Sequence, residues 1–254
     1  MRNSKGLTWL RKTLGAVYRI LRQGLAQLPG GEWLLGWTDP LHLSLRLLRE
    51  AVKKQSRYTR GRLLDLGSGE GPYQDLFPQV DDYLRLDISP DGKTDIQGDG
   101  MKLPFHENIF DSVLCNQVLE HVPEPAQLLA EVKRVLRPAG VLLLTAPQTW
   151  GLHREPQDFF RYTRYGLSYL AEKSGLEVLE IIPTCGLWAT LAQRLADTII
   201  FTYAKKSAHW VIEILSFLLA PVLMAGYGLD KIFGKQGDTL DYVMVARKPN
   251  GTKL

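Results

Sequence analysis

The segment Leu63-Leu64-Asp65-Leu66-Gly67-Ser68-Gly69-Glu70-Gly71 constrains this chain more than any other, because an apolar run opens directly into a turn with glycine at three alternate positions. Glycine adopts positive φ at little steric cost and leaves backbone amides bare, so a strand ending in such a turn lets a ligand approach the main chain closely. A glycine triplet by itself is weak evidence. Here a helix is expected behind it, over 72–77, and the next strand ends in Leu86-Asp87-Ile88, where a carboxylate would hold a ribose diol.

The alternation continues along the chain. Apolar runs at 61–66, 83–87, 111–116, 141–145, 176–182 and 240–246 read as strands. A helix is expected over 124–136, with Leu128, Leu129, Val132 and Leu136 on its apolar face and Arg137-Pro138-Ala139-Gly140 closing it; another covers 165–174 and stops at Gly175. Strands separated by helices imply an α/β fold with a mainly parallel sheet covered on both faces.

Ahead of the sheet, Leu7, Leu10, Leu14, Val17, Tyr18, Leu21, Leu25 and Leu28 recur at spacings of three and four with cations between them, which describes a basic amphipathic helix. Such a helix either packs on the protein's own core or lies in a membrane interface, where Trp9 and the cations favour anionic headgroups. Leu28-Pro29-Gly30-Gly31 breaks the pattern, and Thr38-Asp39-Pro40 opens a second one through Leu41, Leu45, Leu48 and Val52. More than fifty residues separate the last two strands, too many for a structureless loop. Within them, 187–203 is charged only at Arg194 and Asp197, and 208–229 only at Glu213 besides His209. The uncharged run 214–229 is shorter than the roughly 20 residues that span a bilayer, and Pro221, Gly226 and Gly228 are expected to interrupt it. The expectation is a helical hairpin that touches a membrane, or else an extra buried pair or a dimer contact. The domains read as a helical extension over 1–58, a core over 59–183, an apolar insertion over 184–239, and a last strand with tail over 240–254.

With 45% hydrophobic and 23% charged residues, the chain is neither disordered nor fibrous. Its 31 Lys and Arg exceed its 27 Asp and Glu, but Arg2, Lys5, Arg11, Lys12, Arg19 and Arg22 all precede the first acid, Glu32. The excess belongs to one end and not to a nucleic-acid cleft, and no RNA-binding module stands in the sequence, so no nucleic-acid partner is expected. Cys115 and Cys185 belong to no CxxC pair or His-rich cluster, so no disulfide framework and no metal site are expected. Arg11, Lys12 and Arg19 interrupt any signal-like apolar region, and a cytoplasmic location is expected.

From about Gly61 to Leu176, and again in the last strand, the ordered motifs resemble class I S-adenosylmethionine-dependent methyltransferases, in particular their type 11 branch. The resemblance implies a Rossmann-like sheet of about seven strands with helices on both faces and the last strand antiparallel, and S-adenosyl-L-methionine as cofactor. In that family the glycine turn packs against the methionine part and the acid ending the second strand binds both ribose hydroxyls. Carried over, these are Gly67, Ser68, Gly69 and Gly71, and Asp87 followed by Ile88. Asp99 in Gly98-Asp99-Gly100 looks like the acid that binds the adenine amine, ahead of Leu103-Pro104-Phe105. Asn116-Gln117-Val118-Leu119-Glu120-His121-Val122 is similar to the segment after the fourth strand, which puts Asn116 at the cofactor. Asp65 lies near the cofactor's amino group in the family, and also fits as a buried acid fixing the turn. Tyr73 either covers the methionine moiety or packs the helix behind it. A NAD-dependent dehydrogenase shares the glycine turn and the downstream acid but needs none of the later motifs.

Methyl transfer from a sulfonium is an in-line displacement with an activated leaving group, so positioning supplies much of the acceleration and a base is optional. For a hydroxyl acceptor, His121 and His153 are candidate catalytic bases, because histidine titrates near neutrality. His121 alternatively caps the helix over 124–136. The segment 150–163 is dense in aromatics and charges and follows the fifth strand, where open sheets place ligands. It resembles a His-x-x-Pro-x-Asp-Phe-Phe-Arg-Tyr-Thr pattern associated with small-molecule, sugar and cell-envelope acceptors, which makes His153, Asp158, Arg161 and Tyr162 substrate-side candidates. The alternative is that Asp158 pairs with Arg161 while Phe159 and Phe160 seal the core. The Asn/Asp-Pro-Pro-Tyr motif of nitrogen methylation does not follow the fourth strand. The expectation is a methyltransferase at the cytoplasmic face of a membrane acting on a lipid-linked glycan, lipid or similarly apolar acceptor. A soluble small-metabolite enzyme whose insertion is a lid or homodimer contact, and a non-catalytic scaffold, are the alternatives.

Overall fold

The computed structural model describes residues 20, 23, 24, 26–71, 73–89, 94–204, 207 and 209–250. The amphipathic helix expected over 7–28 lies for the most part outside the described residues, and so does Pro72. In chain order the elements are α1 (Gly31–Gly36), α2 (His42–Gln55), β1 (Gly61–Leu66), β2 (Val80–Asp87), β3 (Ile96–Gln97), β4 (Phe110–Asn116), α3 (Pro125–Val135), β5 (Leu136–Pro147), α4 (Arg164–Lys173), β6 (Glu177–Pro183), α5 (Leu187–Asp197), α6 (His209–Phe233) and β7 (Asp241–Arg247). They divide into two compact units, Leu47–Cys185 with Gly237–Leu254, and Met1–Arg46 with Gly186–Gln236. These limits differ from the division at 58 and 183 read from sequence, because Leu48, Ala51 and Val52 of α2 pack into a core of the sheet unit.

The larger unit is a seven-stranded sheet in the order β3-β2-β1-β4-β5-β7-β6, with β7 antiparallel to both neighbours and β1 to β5 paired in parallel. This is the expected sheet. Alternation along each strand sorts the side chains. Leu64, Leu66, Val113, Cys115, Leu142 and Leu144 join Leu128, Leu129 and Val132 of α3 and Leu167 and Ala171 of α4 in one core. Leu63, Leu114, Leu143, Val243 and Val245 join α2, Leu76 and Phe77 in the other. Burying each of these large side chains contributes roughly 2 kcal/mol, so the apolar strands explain why the sheet sits between two helical layers.

Two local expectations give way. The helix over 72–77 is only a single 3-10 turn at Gln74–Leu76, since so short a segment cannot recover the cost of nucleating an α-helix, and Pro78 follows. Residues 137–140 do not form a separate turn after α3. They extend β5, which pairs Leu136 with Phe110 and resumes with Val141 opposite Ser112 after a register shift, with Ala139 at φ 61°.

In the smaller unit α5 and α6 form a helical hairpin. Asp230 of α6 accepts hydrogen bonds from the amides of Gly186 (2.6 Å) and Trp188 (3.1 Å), supplying the cap that Gly186 cannot. Pro221, Gly226 and Gly228 do not interrupt α6, which runs unbroken over 25 residues. Gly226 serves the packing instead, since a Cβ there would lie 2.6 Å from Ala192 Cβ and 2.8 Å from the Trp188 carbonyl. Among the described residues this is the one helix long and apolar enough to cross a membrane by length and composition, with mean hydropathy 1.8 over its apolar window. Trp188, Leu191, Leu195, Leu218, Ile232 and Phe233 of the hairpin are exposed.

Candidate active site

Strand register gathers the candidate residues. Leu66 lies opposite Leu86 and Cys115, Asn116 opposite Thr145, and Pro147 opposite Asp241, so the carboxyl ends of β1, β2, β4 and β5 and the start of β7 share one sheet edge. Open parallel sheets bind ligands at that edge. The amides of Gly67 and Ser68 both donate to the Leu86 carbonyl, at 2.8 and 3.1 Å, which folds the glycine turn over the end of β2. Asp87 then accepts from the amide of Gly69 through Oδ2 (2.9 Å) and from that of Ser89 through Oδ1 (2.8 Å).

The glycines of the turn are required for different reasons. A Cβ on Gly67, at φ 73°, would stand 2.3 Å from Val118 Cγ2, whereas one on Gly69, at φ 51°, would meet none of the described residues within 4 Å. Gly67 is therefore held by packing, and Gly69 borders open space in front of Asp87. Gly71 closes the turn by donating to the Ser68 carbonyl at 2.8 Å. Ser68 is buried with its hydroxyl unpartnered among the described residues, and Ile88 is 71% exposed beside Asp87, leaving an apolar surface next to the carboxylate. Asp99 accepts from the Met101 amide at 2.8 Å. Gly100 belongs to the core rather than to an open face, because a Cβ there would press on Leu128 and Leu66 at 3.1 and 3.3 Å.

Two buried carboxylates flank this edge. Asp65 accepts from the Tyr83 hydroxyl at 2.7 Å, and burial pushes its pKa up to about 6 against that bond. Asp241, at the start of β7, is pushed up to about 7 by burial, opposed by the Gln117 side-chain amide at 3.2 Å. Asn116 accepts from Thr145 Oγ1 at 2.8 Å and hydrogen-bonds to Tyr73, whose hydroxyl pKa is raised by burial. Tyr73 and Asn116 thus lie together with Asp65 and Asp241 nearby.

The loop after β5 is stapled to itself. Arg161 grips Asp158 with two bonds of 2.7 and 2.8 Å and also donates to the carbonyls of Gly151 (2.8 Å) and Trp150 (3.2 Å). That guanidinium holds the Asp158 carboxyl well below the usual carboxylate range. Tyr162 is buried, with its hydroxyl donating to the Leu119 carbonyl at 3.1 Å. Asp158, Arg161 and Tyr162 are thus engaged in fixing the loop, and Tyr162 is a core residue rather than a face open to an acceptor. Phe159 and Phe160 do the reverse of sealing the core, being 46% and 37% exposed.

His121 does not cap α3, whose N-terminus has no side-chain cap. Its Nδ1 lies 2.5 Å from the Gln157 carbonyl, and its ring meets that of His153 edge to face with centroids 4.7 Å apart. His153 Nδ1 is 3.1 Å from the Gly151 carbonyl. Burial lowers the pKa of His121. Glu120, beside it, was not singled out from the sequence; it is fully buried, neither carboxylate oxygen has a hydrogen-bond partner among the described residues, and burial pushes it up to about 8. One possible ligand atom from each of Glu120, His121 and His153 lies within 4.8 Å of the others. The available signal was the parallel pairing of β4 with β5, which makes neighbours of the segments that follow them.

The fold and the glycine turn define a class I methyltransferase sheet. Residues 64–144 match the family described as methyltransferase domain. An uncharacterized methyltransferase of Mycobacterium avium (strain 104) is 36% identical over 96 residues, covering 33% of this chain and 38% of that protein. One from Mycobacterium tuberculosis (strain ATCC 25177 / H37Ra) is 30% identical over 142 residues, covering 50% and 49%. The chain thus spans less than half the length of these curated relatives. Among solved structures, the [4+2]-cyclase SpnF superposes with TM-score 0.51 at 22% identity over 80% of both chains, and the YcgJ protein of Bacillus subtilis with TM-score 0.50 at 15% identity over 80% of this chain and 99% of that one. These likenesses concern the fold, which hosts more than one chemistry. Residues 64–144 thus match a methyltransferase domain, and S-adenosyl-L-methionine is the methyl donor that the match and the fold imply. The site suits such a donor. Open space at Gly69 would admit the methionine part, Asp87 retains lone pairs that a diol could use, Ile88 would offer a surface for the base, and the buried acids would suit a ligand carrying sulfonium and ammonium charges.

Proposed function

We propose that the protein transfers a methyl group from S-adenosyl-L-methionine to a lipid-linked glycan, lipid or similarly apolar acceptor, working against the cytoplasmic face of a membrane. The observation that carries the catalytic half is the open space before Gly69 facing the Asp87 carboxylate. The exposed apolar side chains of the α5–α6 hairpin and the basic amphipathic pattern at 7–28 support the membrane half.

The bound cofactor supplies an electrophilic methyl on a sulfur that leaves as a neutral thioether. The chain's own task is orientation. Asp87 fixes the ribose, Asp65 keeps a negative charge near the cationic end of the ligand, and the stapled loop after β5 holds the acceptor-side residues rigid, so that nucleophile and methyl meet at near-attack distance. An acceptor hydroxyl surrenders its proton to His121 or His153, which stand together at the same edge.

Calorimetric titration with S-adenosyl-L-methionine and, separately, NAD tests the first half, and cosedimentation with anionic phosphatidylglycerol vesicles tests the second. Saturable binding of the first ligand alone, with capture by vesicles, is the expected result. Binding of neither ligand refutes the enzyme reading; a detergent-free compact dimer that ignores vesicles returns the soluble small-metabolite enzyme.

A further inference from the structure

We propose that Glu120, His121 and His153 form a binding site for one divalent first-row transition ion of zinc size. The ion is not required by the fold or by methyl transfer, and the inference rests on three independent features of the cluster.

The first is the donor set. Two imidazoles and one carboxylate are a common three-ligand set for zinc and its neighbours, leaving a further position for water or a substrate oxygen. Their ligand atoms fall within 4.8 Å of one another, and His121 Nε2 is 3.8 Å from Glu120 Oε1. Bonds of about 2.1 Å to a tetrahedral ion bring ligand atoms to about 3.4 Å apart, so modest side-chain rotations close the site.

The second is the state of Glu120. Its side chain is wholly buried, and neither oxygen receives a hydrogen bond from the described residues. A buried carboxylate without a donor is costly, and a cation is the partner that the two neighbouring rings can help to hold. The third is the orientation of the rings. His121 Nδ1 faces the Gln157 carbonyl and His153 Nδ1 faces the Gly151 carbonyl. Each therefore donates its Nδ1 proton to main chain and carries its free lone pair on Nε2, the arrangement in which metal-bound histidines are oriented by a carbonyl behind them.

The supports are rigid. Phe159 and Phe160 donate their amides to the Glu120 carbonyl, Tyr162 holds Leu119 in the same turn, and the His153 amide donates to Asp158, itself gripped by Arg161. His153 keeps 30% of its side chain exposed, leaving a route for an exogenous ligand.

The ion's use in catalysis rests on the methyl-transfer reading above; its binding does not. With both Nε2 lone pairs on the ion, neither histidine acts as the base it provides in the ion-free site, and an acceptor hydroxyl entering the open position would instead lose its proton to water. Its oxygen would then form the bond to the methyl carbon as the carbon–sulfur bond breaks, with that electron pair going to sulfur. The acceptor class selected is one that presents a hydroxyl oxygen.

The test uses the untagged full chain, stripped with chelator and titrated with Co2+ by visible absorption, then with Zn2+ in competition. One equivalent of Co2+ with a low-coordinate absorption band, displaced by Zn2+, is expected. Glu120→Gln and His153→Gln should each weaken binding at least tenfold while the far-ultraviolet dichroism stays unchanged. Absence of saturable binding in the wild type, or wild-type affinity in both folded variants, overturns the proposal. Titration with S-adenosyl-L-methionine alone reads the cofactor site separately, so failure of the ion and failure of the methyltransferase reading are distinguishable.

Discussion

Substituting Gly67 and Gly69 separately distinguishes a glycine kept for packing from one kept for a ligand. Both have positive φ, so either alanine costs about 1 kcal/mol of left-handed strain. At Gly67 the new methyl also stands 2.3 Å from Val118 Cγ2, and overpacking of that kind adds roughly 1–3 kcal/mol, for a total of about 3 kcal/mol. The melting temperature should therefore fall by about 6–12 °C. A Cβ at Gly69 meets no atom of the described residues within 4 Å, so Gly69→Ala should lower it by only about 3 °C, and Gly69→Arg can extend its side chain into that space without disturbing the core. Cofactor binding reverses the order of interest. The wild type with S-adenosyl-L-methionine at about 100 times its Kd gains about 2.7 kcal/mol, and Gly69→Arg should gain none because the side chain occupies the space before Asp87. Differential scanning calorimetry with and without the cofactor reads both quantities. Wild-type cofactor affinity in Gly69→Arg, or wild-type stability in Gly67→Ala, would refute the assignment of these roles.

Asp65 yields a prediction in pH. Its folded pKa, about 6, stands above the ordinary 3.8, so the folded state holds the proton more tightly than the unfolded chain. Its contribution is neutral below about pH 4 and grows destabilising as pH rises through 6, to the order of 3 kcal/mol. Asp65→Asn should thus be more stable than the wild type at pH 8 and equal to it at pH 4, while binding S-adenosyl-L-methionine more weakly; denaturant unfolding at the two pH values checks this. Arg161→Ala leaves the buried Asp158 carboxylate without its partner and should cost about 3 kcal/mol, read as earlier proteolysis of the loop at 150–163. Leu218→Glu together with Ile232→Glu, both at exposed positions of α6, should reduce capture by anionic vesicles at least tenfold with cofactor binding intact, as measured by cosedimentation.

Local patterning in the sequence placed six of the seven strands, and the resemblance to the methyltransferase family supplied the antiparallel last strand and the candidate cofactor edge. Leu63, Leu64 and Leu66 put leucine on both faces of β1 because both faces are covered, and the glycines that follow carry the turn in their own backbone preferences. Asp87 could be placed because it ends the next strand, and parallel register aligns strand ends. Other features were decided only by tertiary packing. Gly67 and Gly69 look alike in sequence, and it is Val118, fifty residues on, that separates them. Pro221 and Gly226 read as helix breakers, yet α6 continues through both, and at Gly226 close contact with Ala192 of α5 demands a residue without a side chain. For Asp158 and Arg161 the sequence allowed either an acceptor-facing role or pairing with each other, and the structure shows the pair, while Tyr162 turns into the core to hold Leu119. Glu120 was silent because a carboxylate next to a histidine in a turn is ordinary until burial removes its water. Periodicity reports on a residue's near neighbours in the chain, whereas the meeting of Glu120 and His121 with His153 depends on β4 and β5 lying side by side.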